Sequence, residues 1–204
     1  MYSLINEQIW NRLLRGGSLE GLALPLKHGR TNLGNLLAPQ PNVRQSIRTP
    51  IADAAMLENI SVVTGTVWES LDFSGSRLNG LRFFDCAVRN CVFDECSCQD
   101  WRLWSTAISD TCFCHTDLRS SALGGATNDG NRNSFCNVQF DAADLRKTCH
   151  NSAQFVGCKF KHSRLDKVDF GGSTFENCTF EGELCDVQFY KTGFSVRSFR
   201  RITW

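Results

Sequence analysis

Hydrophobic residues recur at every fifth position over most of this 204-residue chain. The first run extends from Val63 to Leu123, and all thirteen of its positions are apolar. The second extends from Phe135 to Cys185, and His150 is its only polar member. A period of five matches neither the 3.6 residues per turn of an α-helix nor the two-residue alternation of a strand. The pattern therefore predicts a chain that turns a corner once every five residues.

The position two residues before each bulky residue usually carries a compact side chain. Such a residue must also point inward, where space is limited. These positions are Ser76, Cys86, Cys91, Cys96, Thr106, Thr111, Thr116, Ser121, Ala143, Ala153, Cys158, Ser163, Ser173 and Cys178. Inward packing then accounts for most of the 15 Phe and 11 Cys residues, because a buried thiol behaves as a small apolar group. We assign Cys98 and Cys185 to the inward positions as well.

Several five-residue segments carry a resemblance to a known family. Leu71–Gly75, Thr116–Ser120 and Ala143–Lys147 resemble the A(D/N)LXX unit of pentapeptide repeat proteins. The resemblance covers about residues 61–204 and implies an all-β solenoid, a right-handed quadrilateral β-helix with 20 residues per coil. With neighbouring strands about 4.8 Å apart, six or seven coils make a rod roughly 30 Å long.

Charged residues 20 positions apart support this coil length. Glu69 precedes Arg89 by 20 residues, and Asp144 precedes Arg164 by the same distance. Further members of such ladders are Asp141, Lys161 and Glu181, and Arg146 with Asp166 and Asp186. Opposite charges on neighbouring strands stabilise a sheet by about 0.2 to 1 kcal/mol per pair.

Two irregularities interrupt the period. Leu123 and Phe135 are twelve residues apart instead of ten, which predicts two extra residues in a loop insertion at 124–134 that is rich in Gly, Asn and Asp. The step from Phe180 to Leu184 is four residues, so we assign 184–204 to a C-terminal coil that caps the rod or forms a dimer.

Residues 1–60 contain no repeat. Apolar residues at Tyr2, Ile5, Ile9 and Leu13 predict a short amphipathic N-terminal helix that ends at Gly16–Gly17. A solenoid needs its open ends covered, so we interpret 1–60 as a helical and irregular capping segment, with partner docking as the alternative.

Composition and charge narrow the function classes. The chain has 22 basic and 21 acidic residues, a net charge of +1, which argues against direct nucleic-acid binding. Residues 61–190 carry a net charge of −5, whereas the last coil is basic. We find no apolar run of membrane-spanning length and no secretory signal, and we expect reduced thiols and a cytoplasmic location with no membrane contact.

The candidate chemistry is sparse. Cys112 and Cys114 flank the inward Phe113 and should face outward, with His115 beside them and Asp94 and Glu95 one coil away. Thiolate, imidazole and carboxylate groups bind zinc, but Cys-x-Cys-His lacks the spacing of known structural zinc sites. The sequence therefore predicts no metal and no cofactor. If a metal does bind, its candidate ligands are Cys112, Cys114 and His115. We also find no phosphate loop, nucleophile elbow or forced carboxylate pair, and expect no enzyme.

The resemblance extends to the quinolone-resistance and topoisomerase-poison-immunity branch of the family. It implies a non-enzymatic protein-binding β-helix that protects or modulates DNA gyrase, a type II topoisomerase, by partial DNA mimicry in antibiotic resistance or self-immunity. Projecting loops and a C-terminal homodimer belong to that scheme. The corresponding partner-binding positions here are Asp85, Glu95, Asp100, Asp110, Asn128, Asp129, Asn131 and Arg132, and the dimer positions are Phe194, Phe199 and Trp204.

An alternative function remains open at the level of the sequence. The four acids form a ring around successive sides of the coil instead of a stripe along one face, and both ends of the chain are basic. A scaffold, adaptor or effector-type module unrelated to topoisomerase would need only an exposed hot spot, for which Trp101, Arg102 and Trp104 are candidates. Trp101 occupies an inward small position, however, and as a core residue it would widen the coil.

Overall fold

The computed structural model describes residues 4–38, 61–125 and 130–194, and the backbone of 199–203. These ranges contain one helix, α1 (Leu4–Arg15), and sixteen short strands. The strands are β1 (Leu26–Lys27), β2 (Arg30–Asn32), β3 (Val62–Thr64), β4 (Val67–Glu69), β5 (Leu71–Asp72), β6 (Arg82–Phe84), β7 (Ala87–Arg89), β8 (Arg102–Trp104), β9 (Ala107–Ser109), β10 (Ser134–Cys136), β11 (Gln154–Val156), β12 (Lys159–Lys161), β13 (Thr174–Glu176), β14 (Thr179–Glu183), β15 (Gly193–Phe194) and β16 (Phe199–Thr203).

Apart from β1, which pairs with β2 in antiparallel orientation, the strands stack in parallel into the four sides of a right-handed solenoid of about six turns, which confirms the predicted fold class. The first side contains β2, β5, β12, β14 and β16, joined by single bridges at Val92, Cys112 and Gln139. The second side is held by bridges that run from Leu37 through Arg77, Ser97, Asp117 and Asp144 to Arg164. The third side begins with β3, β6 and β8, and the fourth is the seven-stranded sheet of β4, β7, β9, β10, β11, β13 and β15.

Residues 20 positions apart are direct neighbours in the regular coils. Val63 pairs with Phe83, and Phe83 pairs with Leu103. The corner between two sides lies two residues after each inward residue, where the backbone is left-handed, as at Asp85 with φ 51° and Asp100 with φ 58°. Because this conformation is costly for most residues and least so for Gly, Asn and Asp, the corners collect short polar side chains.

Stacked phenylalanines fill the interior along the first side. Neighbouring rings are parallel to within 12°, and their centroids lie 4.7 to 5.5 Å apart. The column comprises Phe73, Phe93, Phe113, Phe140, Phe160 and Phe180, all of them buried. Such contacts add to the free energy of simple apolar burial, by about 0.5 to 1.5 kcal/mol per pair.

The compact inward residues bind the backbone of the preceding coil. The hydroxyl of Thr116 donates to the carbonyl of Phe93 at 2.5 Å, and the thiol of Cys96 donates to the carbonyl of Phe73 at 3.0 Å. Both contacts reach back 23 residues, so the small side chains join successive coils. Cys185 does not belong to this group, contrary to the sequence prediction, because the four-residue step places Leu184 inward and leaves Cys185 exposed.

The charge ladders have the predicted register in the strands that carry them. Glu69 pairs with Arg89, and Lys161 pairs with Glu181. Asp144 lies 3.6 Å from Arg164 on the next coil but only 2.6 Å from Arg146, two residues further along the chain. Burial alone would raise the pKa of Asp144, and the hydrogen bond and charge of Arg146 outweigh it and hold that pKa below its usual value.

The loop insertion is larger than the sequence count indicated. Phe135 pairs with Ile108, 27 residues earlier, so this coil contains seven extra residues and not two. Leu123 and Phe135 are consecutive inward positions in the structure. From the sequence alone, a spacing of twelve residues fits either two repeats with two extra residues or one repeat with seven. Asn133 closes the insertion: its side chain accepts a hydrogen bond from the Thr106 amide at 2.9 Å and donates to the carbonyl of Leu123 at 3.0 Å.

The last described coil is one residue short. Phe175 pairs with Phe194 at a separation of 19 residues, and the register shifts within β14 between Phe180 and Gly182. The separation is 19 residues at Phe180 and Phe199 and returns to 20 at Gly182 and Ile202, where the chain continues as β16 on the first side.

Helix α1 packs against the first coil with Ile9, Trp10 and Leu13 buried. The indole of Trp68 donates to the Leu13 carbonyl at 3.2 Å, and the Trp10 and Trp68 rings lie 6.4 Å apart. The helix therefore covers aromatic surface at the N-terminal end of the solenoid. Within the described residues, no helix has the length and apolar character that would carry it across a membrane.

Part of the segment assigned to 1–60 joins the solenoid. Strand β2 pairs in parallel with β5, with Thr31 opposite Leu71, and Leu37 bridges to Arg77. Leu33 and Leu36 are buried in the same core as the later coils. The sequence Thr31–Asn35 matches the A(D/N)LXX pattern except for Thr at its first position, and this was the signal that the five-residue count from Val63 missed.

Candidate functional site

The four predicted acidic residues occupy four different corners of the rod. Asp85, Glu95, Asp100 and Asp110 are all exposed, and all have left-handed backbones. Three of them lie in one coil and Asp110 in the next, so their carboxylates surround the rod. Asp110 accepts a hydrogen bond from the side chain of Asn137 at 3.1 Å.

The loop insertion brings two predicted groups together. Asn131 and Arg132 are exposed, and with Asp85 they line a surface cleft at the edge between the third and fourth sides. Val67, which is 53% exposed, lies in the same cleft. Asn128 and Asp129 fall outside the described residues. The cleft therefore combines a carboxylate of one coil with an amide and a guanidinium from the insertion.

Aromatic and arginine side chains form a second surface on the third side. The rings of Phe84 and Trp104 are parallel to within 2° and 4.4 Å apart. Arg82 of β6 lies opposite Arg102 of the neighbouring strand β8. The Arg82 guanidinium donates to the Asp100 carbonyl at 2.5 Å. Burial, together with the charge of Arg102, lowers the pKa of Arg82 to about 10.

Trp101 is a core residue and not part of that surface. It is 1% exposed, and its indole donates to the Leu78 carbonyl at 2.5 Å. Its ring meets Phe83 and Phe93 at 5.1 and 5.5 Å. An inward position that usually holds a small residue here holds the largest one, and it fills the centre of the coil.

A thiol and carboxylate cluster lies on the first side. The sulfurs of Cys112 and Cys114 are 2.8 Å apart, and the Cys114 amide donates to a carboxylate oxygen of Asp94 at 3.1 Å. One ligand atom from each of the three residues lies within 4.8 Å of the other two. Burial and the hydrogen bond to Asp94 raise the pKa of the Cys112 thiol, and burial raises that of Cys114.

His115 does not join the cluster, contrary to the candidate set of the sequence analysis. It is the corner residue after Phe113, with φ 56°, and its side chain is exposed. The left-handed corner turns the chain away from the strand that carries the two thiols. Asp94 takes the third place because it lies 20 residues before Cys114 and therefore directly beside it on the previous coil.

Two of the three predicted dimer residues have a described backbone in the last coil. Phe194 is 37% exposed and stacks on Phe175 with ring centroids 5.2 Å apart. Phe199 begins β16, which pairs with β14. Trp204 lies outside the described residues. Phe194 and Phe199 thus lie on neighbouring sides of the same terminal coil.

The five-residue period, the stacked coils and the compact inward positions agree with a comparison against protein families. Residues 153–182 match the model of pentapeptide repeats, in eight copies. This segment consists of pentapeptide repeats. The matched segment lies in the coils that follow the loop insertion, where one repeat follows another without interruption.

Solved structures similar to this chain include two described as pentapeptide repeat proteins. Rfr23 from the cyanobacterium Cyanothece is 12% identical over 85% of this chain and 87% of its own, with a TM-score of 0.30. HetL from the cyanobacterium Nostoc, described as involved in heterocyst differentiation regulation, is 12% identical over 82% and 86%, with a TM-score of 0.26. Full-length QnrB1, a plasmid-mediated fluoroquinolone resistance protein, is 10% identical over 66% and 84%, with a TM-score of 0.19. No curated protein sequence gives a significant match.

Proposed function

We propose that this protein-interaction β-helix protects or modulates DNA gyrase or a related type II topoisomerase by partial DNA mimicry. The topoisomerase is suggested by the family resemblance. The observation on this chain that supports it is the cleft in which Asp85 lies beside Asn131 and Arg132 of the insertion. Such a target places the protein in the cytoplasm, in a resistance or self-immunity role.

The exposed carboxylates are the electrostatic part of this proposal, in a form that surrounds the rod instead of following one face. An enzyme that grips duplex DNA presents basic groups to the phosphates, and exposed carboxylates on a rod offer those groups an alternative partner. Asp85, Glu95, Asp100 and Asp110 lie around the rod within two coils. We infer that a gyrase channel encloses this part of the rod and contacts more than one edge, with the insertion fixing the orientation.

Gyrase supercoiling with and without a fluoroquinolone tests the proposal. We expect the purified protein, at micromolar concentration, to inhibit supercoiling or to relieve drug-stabilised DNA cleavage. The ring variant with Asp85→Asn, Glu95→Gln, Asp100→Asn and Asp110→Asn should lose at least about tenfold in potency, because removing rim charges slows electrostatically guided association. Asn tolerates the left-handed corner, so the fold should persist.

A matched variant separates the ring from total charge. Asp166→Asn, Glu176→Gln, Glu183→Gln and Asp186→Asn remove the same four charges from the coils beyond the insertion. This control should retain wild-type potency. Equal losses in both variants would reduce the effect to net charge, and a wild-type protein without any effect on gyrase would refute the topoisomerase proposal.

A further inference from the structure

The cluster of Cys112, Cys114 and Asp94 has the composition of a metal site for a soft divalent cation. Two sulfurs and one carboxylate oxygen lie within 4.8 Å of one another on a half-buried part of the first side. Thiolates select zinc and its heavier relatives over magnesium and calcium, which prefer sites made of oxygen alone.

The backbone places the three groups side by side, and rotation of the thiols about their Cα–Cβ bonds would separate the sulfurs, now 2.8 Å apart, to the spacing of tetrahedral ligands. Phe113 is buried in the stacked column, and this anchors the residues on both sides of it, Cys112 and Cys114, on the outer surface. Asp94 is oriented by its hydrogen bond from the Cys114 amide at 3.1 Å. A carboxylate fixed by a backbone donor is the kind of supporting contact that orients metal ligands.

The electrostatic environment favours a cation. Cys114 lies between two coils that each present a carboxylate, Asp94 on one and Asp141 on the other. Asp141 accepts a hydrogen bond from the Lys161 amide at 3.1 Å, which orients its carboxylate. Negative charge from both coils would offset the positive charge of a bound dication.

We propose that Cys112, Cys114 and Asp94 bind one thiophilic divalent cation, Zn²⁺ or Cd²⁺, with water completing the four-coordinate shell. The site lies on the first side, away from the cleft lined by the insertion, and its test does not depend on the gyrase proposal. Binding displaces the thiol protons to solvent and leaves the oxidation state of both sulfurs unchanged.

Titration of the full-length reduced protein with Cd²⁺ under anaerobic conditions tests this site. The sulfur-to-cadmium charge-transfer absorption should rise to a plateau at one Cd²⁺ per chain, with the intensity of two thiolates, and Zn²⁺ should compete for the same site. Cys112→Ser and Cys114→Ser should each weaken binding by at least about tenfold, because each removes a ligand. Asp94→Asn should weaken binding by about tenfold while keeping the two-thiolate absorption.

Cys136→Ser provides the matched control, since Cys136 is another accessible thiol on the outer surface. Circular dichroism of each metal-free variant establishes that the coil remains folded. Retained affinity in Cys136→Ser together with loss in Cys114→Ser supports the site. Equal loss of affinity in both variants, or a plateau near zero Cd²⁺ per chain, would overturn the site. So would a protein whose Cys112 and Cys114 are found as a disulfide and which still binds no Cd²⁺ once that disulfide has been reduced.

Discussion

His150 is a histidine in a column of hydrophobic residues on the third side. It is fully buried, and its ring stacks on Phe170 with centroids 4.9 Å apart. The Thr148 hydroxyl donates to the Leu145 carbonyl, so at its 3.1 Å contact it accepts from Nε2 of His150. Nδ1 then remains an acceptor without a hydrogen-bond partner in the described structure. Burial lowers the pKa of this imidazole to about 3.

The buried histidine makes stability depend on pH. The folded state keeps His150 neutral, whereas the unfolded chain takes up its proton below pH 6.5, so stability falls as the pH drops from 6.5 towards 3. Between pH 7 and pH 5 this histidine should cost about 2 kcal/mol. His150→Leu should remove that part of the pH dependence, measured as the free energy of unfolding in urea at both pH values.

An exposed histidine serves as the control for this measurement. His162 is an exposed corner residue with a left-handed backbone, φ 53°, and asparagine accepts this conformation. The His162→Asn variant should therefore fold and retain the pH dependence of the wild type. If His150→Leu loses as much stability between pH 7 and pH 5 as the wild type does, His150 is not the group responsible.

Individual residues could be predicted from the sequence only where the period fixes their direction. The inward Phe column and the outward Cys112 and Cys114 follow directly from counting in fives. The period places Trp101 inward as well, but at a position that usually holds a small side chain, so its burial stayed one of two interpretations until the volume of the finished coil showed that an indole fits. The partnership of Asp94 with Cys114 required the 20-residue register, which the sequence contained, and the corner geometry, which it did not.

At the level of elements, the insertion is fastened to the coil by a close backbone approach at Gly124. A methyl group at this position would lie 2.0 Å from the carbonyl carbon of His150 and 2.2 Å from the amide nitrogen of Asn151. The neighbouring Gly125 amide donates to the Asn151 carbonyl at 2.5 Å. No side-chain rotation relieves such an overlap, because both contacted atoms belong to the backbone.

Gly124→Ala should therefore destabilise the protein by at least about 2 kcal/mol, at the upper part of the range for overpacked sites. Gly130→Asn, in the same insertion but with open space around it and φ 78°, should change stability by less than about 0.5 kcal/mol. The free energy of unfolding in urea measures both. A near-neutral Gly124→Ala would mean that the insertion shifts away from the coil at little cost.

The length of the insertion shows why element boundaries were harder to predict than element type. Two extra residues across ten, or seven across five, give the same spacing between Leu123 and Phe135. Only the pairing of Phe135 with Ile108 decides between them. The half-coil at 30–38 was missed for a related reason, because residue 33 stacks on residue 73 across a gap of 40 positions.

At the scale of the whole molecule, different elements lie at the two ends of the solenoid. Helix α1 packs on the first coil, whereas β15 and β16 are the last strands of their sheets in the described chain. The terminal coil of a solenoid is a surface on which a second copy of the chain can pack. We therefore propose a homodimer through the C-terminal coil, with Phe194, Phe199 and Trp204 at its centre.

Size-exclusion chromatography with light scattering tests this dimer. The wild type should have twice the mass of one chain, and the Phe199→Asp, Trp204→Asp double variant should be monomeric, because two charges would be buried without partners. Leu26→Asp, which changes a residue that is 74% exposed near the opposite end, should remain dimeric. A monomeric wild type would contradict the proposal.

The seven-residue enlargement of one coil leaves the coils on either side of it in register, since the chain departs and returns at the same edge. Residues can therefore be added to the chain at that edge without changing the length of the rod. Selection can lengthen, shorten or rewrite the segment between Gly125 and Asn133 without a compensating change elsewhere in the scaffold. Target preference in such a protein can diverge faster than its framework, and relatives with different targets can share nearly the same rod.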